Sequence, residues 1–192
     1  MTRFTAISVV AAAVFTASVA LAETTWTNPA GGLWSDPANW SDGVPAAEDS
    51  VDLPELDGDG YVIQLSGTVQ CAGCRVSGTG VALTGGMLQV FNDLSIGANG
   101  DVGELRLIAC TAAAFMVRVG ATSGNGTVLV DGASTLGGLN LIVADVGPGA
   151  GQGTCNIESG GHAAFSQITL GAGSTLGIEV ASWQPTTVYA SG

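Results

Sequence analysis

The feature that most constrains this chain is a pattern that returns about every two dozen residues. Leu94-Ser95-Ile96-Gly97 is echoed 23 positions later by Val117-Arg118-Val119-Gly120, and Ile168-Thr169-Leu170-Gly171 starts the pattern again. Between them, Gly103-Glu104-Leu105-Arg106-Leu107 lines up with Gly126-Thr127-Val128-Leu129-Val130. Gly153-Thr154-Cys155-Asn156-Ile157 follows 27 positions further on. A unit this short cannot enclose a core by itself. Self-similarity at 20–30 residues therefore implies a solenoid, in which each unit buries its apolar face against the next.

The runs within the units are strand-like. Tyr61-Val62-Ile63-Gln64-Leu65, Val81-Ala82-Leu83-Thr84, Met87-Leu88-Gln89-Val90 and Thr127-Val128-Leu129-Val130 are short aliphatic stretches bounded by Gly, Asn and Ser. No window of a dozen residues keeps a 3.6 period. The nearest candidate, residues 109–119, is β-branched and stops at Gly120. The predicted fold is all-β, a single-stranded parallel β-helix of about six coils from Ser50 onward, at ~24 residues per coil. Period 2 places Leu105, Val128 and Cys155 in one inward column and Leu107, Val130 and Ile157 in the next. Asn99-Gly100, Asn125-Gly126 and Gly147-Pro148-Gly149 are the expected corners. Cys110 falls outside the inward column, about two coils from Cys155. At ~4.8 Å per coil that is beyond disulfide reach, so Cys155 is expected to be a buried free thiol.

Residues 1–22 read as a secretory signal peptide. Arg3 is the positive end, an apolar stretch of small residues follows, and Ala20-Leu21-Ala22 fits a cleavage site. The stretch is short for a membrane span, and no later segment is long and apolar enough for one. The product is therefore expected to be secreted, extracellular or at the cell surface, with no transmembrane segment in the mature chain. Residues 23–60 form an irregular N-terminal cap with nine acids, no base and the tryptophans Trp26, Trp34 and Trp40. Residues 61–192 carry the repeats. Once the leader is removed, sixteen acids face three arginines and no lysine, which excludes nucleic acid as a partner.

Several residues invite a chemical reading. Cys71 and Cys74 form a Cys-x-x-Cys pair in a turn, a possible disulfide in an oxidising compartment. Asp57-Gly58-Asp59-Gly60 resembles the start of a calcium loop, with Asp49, Asp52 and Glu55 nearby. No other cofactor is implied. Trp26, Trp34 and Trp40 either anchor the cap or, if exposed, stack on a glycan. Asp131 and Glu158 align across neighbouring units as a pair of carboxylates, the minimum for a glycosidase. Arg106 and Arg118 alternate with apolar positions and are expected to face solvent. The only histidine, His162, reads as a surface turn residue. A lyase acting on an anionic polysaccharide would meet the wrong field on so acidic a protein.

Trp26-Thr27-Asn28, Gly32-Leu33-Trp34-Ser35-Asp36-Pro37-Ala38-Asn39-Trp40, Gly43-Val44-Pro45 and the later Leu-x-Ile/Val-Gly units carry a resemblance. Together they are similar to exported bacterial β-helix proteins, namely autotransporter-passenger-like repeat proteins and surface proteins with a Pro-Glu-Pro sorting signal. The resemblance implies a right-handed parallel β-helix at the cell surface or in the extracellular matrix. Neither a C-terminal β-barrel nor a sorting helix is recognisable in the 192 residues, and no catalytic residue carries across. The function expected is structural or adhesive and non-catalytic, with a cell-surface or matrix polysaccharide or protein as partner. The alternatives are a glycan-binding module built on the cap tryptophans and a carbohydrate-active β-helix enzyme.

Overall fold

The computed structural model describes residues 22–144, 151–178 and 188–190. The expected leader (except Ala22) and the Gly147-Pro148-Gly149 bend lie outside the described residues. The chain winds as a parallel β-solenoid of about six turns. One sheet contains Glu23–Thr25, Ser50–Leu53, Gly73–Val76, Met87–Ile96, Thr111–Val119, Thr135–Val143, His162–Leu170 and Val188–Ala190, with Thr68–Cys71 also paired to Met87–Ile96. The second contains Gly32–Leu33, Tyr61–Gln64, Val81–Thr84, Val102–Ile108, Asn125–Val130, Gln152–Ile157 and Thr175–Ile178. Ladders between these strands are parallel, and Trp26 and Trp40 form an isolated antiparallel bridge. The only helical turn among the described residues is the 3-10 turn Pro37–Asn39.

The expected columns are present. Leu105, Val128 and Cys155 pair in register, and so do Leu107, Val130 and Ile157. Both columns extend towards the N-terminus, through Val81 and Tyr61 in one case and Leu83 and Ile63 in the other. Every one of these side chains is buried. Burying a Leu, Ile or Val contributes about 1.5–3 kcal/mol, and the column supplies that contact rung after rung, where a lone coil could not.

The long strands turn a corner. Ala114 and Val117 both point inward, while Phe115 and Met116 between them do not, so the period-2 alternation slips and the strand bends. Met87–Ile96 carries an extra residue at this point, as a register shift opposite Ala114/Met116. One rung earlier the same path is split into Thr68–Cys71 and Gly73–Val76, with Ala72 at the corner. The cross-section therefore has three sides. The first half of each long strand forms the first side, the second half forms the second, and the other sheet forms the third. On the first side Gly138 pairs with Phe165, and a Cβ on Gly138 would sit 2.1 Å from the Ala114 carbonyl oxygen of the preceding rung.

Two expectations about organisation are corrected. The change of texture near residue 60 is not a structural boundary. Glu23–Thr25 and Ser50–Leu53 already belong to the first sheet, and Trp26, Trp34 and Trp40 share one apolar core with Tyr61, Ile63 and the repeat columns. Asn125-Gly126 is also not a corner, because it opens the strand Asn125–Val130. The chain turns instead at Thr122 and Ser123, both with positive φ. Asn99-Gly100 does turn, with Asn99 at φ 59°. Gly97 and Gly120 end equivalent strands at φ 58° and 71°. A Cβ at either would lie 1.9 Å from a carbonyl oxygen of the next rung, Asn125 O or Gln152 O. Only glycine fits there.

Candidate functional site

The cap tryptophans are walled in. Trp26, Trp34 and Trp40 are 0%, 1% and 4% exposed. Trp40 meets Trp34 edge-on at 4.7 Å and Trp26 at 5.0 Å, and Trp26 stacks on Tyr61 at 6.1 Å. The indole Nε1–H of Trp40 donates to the Trp34 carbonyl and that of Trp26 to the Asn28 carbonyl, each at 2.7 Å. Asn28 and Asn39 lock the loop, with Asn28 Nδ2 donating to Asn39 Oδ1 and Asn39 Nδ2 to the Leu33 carbonyl. The glycan-stacking alternative at these tryptophans is therefore corrected: the rings have no free face. Local sequence cannot tell an anchor from a platform, since both want a large ring with a polar edge.

The carboxylates near the supposed calcium loop are engaged elsewhere. Glu55 accepts from the Thr79 N–H and hydroxyl one rung away, and these bonds lower its pKa. Asp49 accepts from the Ala46 N–H, and Asp52 accepts from Ser77 and pairs with Arg75. Asp57 sits in a tight turn at φ 41°. Among the described residues no three His, Cys, Asp or Glu side chains come together to hold a metal, so the structure assembles no calcium shell around Asp57 and Asp59.

All four cysteines are buried and free in this structure, Cys71 and Cys74 among them. The two flank the corner at Ala72 and enter separate inward columns, Cys71 beside Val90 and Cys74 beside Leu94. A hydrogen bond with Cys71, together with burial, pushes the Cys74 thiol well up. Burial alone pushes Cys155, the expected free thiol, up to about 12. It also pushes Cys110 up to about 11, and the Cys110 thiol donates to the Leu83 carbonyl at 3.3 Å. None of these three is poised as a thiolate nucleophile.

The three arginines of the repeats tie rungs together. Arg106 reaches Asp131 at 3.0 Å and Arg118 reaches Asp93 at 3.3 Å, while Arg75 lies between Asp52 and Asp101 at 3.6 and 3.1 Å. Arg106 and Arg118 are solvent-facing, as expected, with 45% and 32% of their side chains exposed. Asp131 and Glu158 do align across rungs, each following the paired Val130 and Ile157. The bonds from Arg106 and the Gly132 N–H, with a smaller one from Glu158, hold Asp131 below the usual carboxylate range. His162 opens the strand His162–Leu170 and is not in a turn.

What sequence reading missed is the chemistry of the first side. Its outward positions run Thr68 and Gln70, then Met87, Gln89 and Phe91, then Thr111, Ala113 and Phe115, then Thr135, Gly137 (itself buried between its neighbours) and Leu139, and last His162, Ala164 and Ser166. None is an acid, a lysine or an arginine. The ion pairs described above all belong to the second and third sides and their edges. Ala113, Gly137 and Ala164 form a low central row, flanked by Thr111 and Thr135 on one margin. The other margin is the corner row of Phe91, Phe115 and Leu139, which are 46%, 55% and 44% exposed. An open depression lies against Gln89, Phe91, Ala113 and Phe115. The signal was present in the sequence as five uncharged segments, but they become one face only when the rungs are in register.

No protein-family model matches this chain, and comparison with curated proteins and with solved structures finds no relative.

Proposed function

We propose that this chain is an exported structural and adhesive β-solenoid that makes contact through its first side and catalyses no reaction. The observation that carries the reading is the uncharged side itself, which spans five rungs of a protein with sixteen acids and exposes two phenylalanines and a leucine. Large apolar groups exposed in a contiguous patch mark contact surfaces on soluble proteins. A stack bonded along its whole length by parallel ladders also makes a stiff carrier for such a patch. The pattern of residues 1–22 supports export.

The test is expression of the full chain in a bacterial host, beside a version with charged residues placed in the apolar stretch of residues 6–19. Fractionation should find the parent chain outside the cytoplasm with Glu23 as its new N-terminus, and the altered chain inside and unprocessed. Uncleaved parent chain in the cytoplasm would overturn the reading.

A further inference from the structure

The first side carries a trough parallel to the solenoid axis. Its floor is the Ala113–Gly137–Ala164 row, one wall is Phe91, Phe115 and Leu139, and the other is the Thr111 and Thr135 hydroxyls. Gln70 and Gln89, whose side-chain amides hydrogen-bond to each other at 3.0 Å, close the end nearest the N-terminus. We infer that this trough binds a neutral, unbranched polysaccharide lying along the axis. The inference rests on the adhesive reading above and names its partner.

Four arguments select this occupant. The trough repeats at the rung spacing of ~4.8 Å, about the length of one sugar ring, so the apolar wall of Phe91, Phe115 and Leu139 offers one large side chain to each of three successive sugars. Its walls match the two kinds of surface a pyranose presents: C–H faces for the apolar wall and ring hydroxyls for the threonines and glutamines. The surface is without acid or arginine in a chain of net charge −12, which repels a polyanion from every direction and leaves a neutral polymer unopposed. Size argues against a second copy of the chain. Five rungs at ~4.8 Å by about five residues at ~3.3 Å cover roughly 400 Å², half of the ~800 Å² per partner of a standard interface. An extended peptide would dock by adding a strand, but the backbone groups of the inner rungs are already engaged on both sides in parallel ladders.

The test uses the purified chain from residue 23 in depletion assays against microcrystalline cellulose and a soluble neutral glucan, with alginate as the polyanion. Retention on a neutral polymer, insensitive to salt and absent on alginate, is expected. Phe115→Ala should weaken retention by about tenfold, and Phe91→Ala with Phe115→Ala should abolish it. Ala113→Glu should also abolish it, whereas Phe115→Tyr, which keeps the ring, should be retained on the polymer like the parent chain. Arg118→Gln, on the second side, should leave it intact. Unchanged thermal melting of the Phe variants separates lost binding from lost fold, because both rings are exposed. No retention on either neutral polymer, equal retention by the double variant, or retention on alginate overturns the proposal. So does a dimer in solution that the Ala113→Glu variant breaks, since the occupant would then be a second copy. Each outcome is read on purified protein and is independent of whether the chain is exported.

Discussion

Leu83 and Leu107 are both fully buried and directly paired on adjacent rungs, while Ile157 lies in the same column three rungs from Leu83. Truncating either leucine to alanine removes its packing and leaves a cavity, at about 3–5 kcal/mol each. With a urea m-value of about 2 kcal/mol/M, a loss of 3 kcal/mol moves the unfolding midpoint by about 1.5 M. In Leu83→Ala with Leu107→Ala the two cavities merge and the walls can relax together. The pair should then deviate from additivity by about 0.5–3 kcal/mol. Leu83→Ala with Ile157→Ala places the cavities about 14 Å apart and should add to within about 0.5 kcal/mol. Urea titrations followed by far-UV circular dichroism and tryptophan emission give all five values, provided the two probes coincide. If the distant pair couples as strongly as the adjacent one, or the adjacent pair is strictly additive, the rungs are not stacked in this register.

Gly120→Ala adds a Cβ 1.9 Å from Gln152 O at φ 71°, so a loss of at least about 2 kcal/mol is expected by thermal melting. Gly43→Ala meets open space at φ 87° and should cost only about 1 kcal/mol. Asp131 and Glu55 are held below their ordinary values of 3.8 and 4.5. Their contribution to stability is therefore full above those values and is lost as pH falls below them through the lower folded-state values. Asp131→Asn should lower the urea midpoint at pH 7, and by progressively less as the pH is taken below 3.8. Cys110 and Cys155, raised to about 11 and 12, should resist iodoacetamide at pH 8 in the native protein and react once it is unfolded. Native-state labelling of Cys155, read by mass spectrometry, would contradict its place in the column.

The columns were legible because two independent periods agree on them. Leu105, Val128 and Cys155 share a position in the long repeat and the same parity within a strand. Parity breaks where the chain turns inside a strand, so the corner at Phe115-Met116 left no mark that local sequence reading could recognise. Asn125-Gly126 misled for a related reason. Glycine there serves the next rung and not a turn: a Cβ on Gly126 would lie 2.3 Å from Ile96 O and from Gly120 N. Close approach between rungs and a left-handed turn both demand glycine, and only the stacking tells them apart. The cap was misread because the Trp-rich loop between Thr25 and Ser50 hides two strands that pair with each other directly, in register.

Stacking in register also decides where charge can go. Any outward residue type repeated from rung to rung becomes a line of like groups ~4.8 Å apart, so a repeated acid repels itself along the whole stack. This chain interrupts such lines with arginine, Asp52 against Arg75 and Asp93 against Arg118 on the second side, and Asp131 against Arg106 at the edge of the third. Three arginines in the repeats suffice for two sides. The remaining side avoids the repulsion by carrying no acid at all, and the same register that forbids charge there draws its small and aromatic residues into straight rows. A linear, neutral contact surface thus follows from the stacking rule together with the arginine count, and introducing one acid at Ala113 is enough to break it.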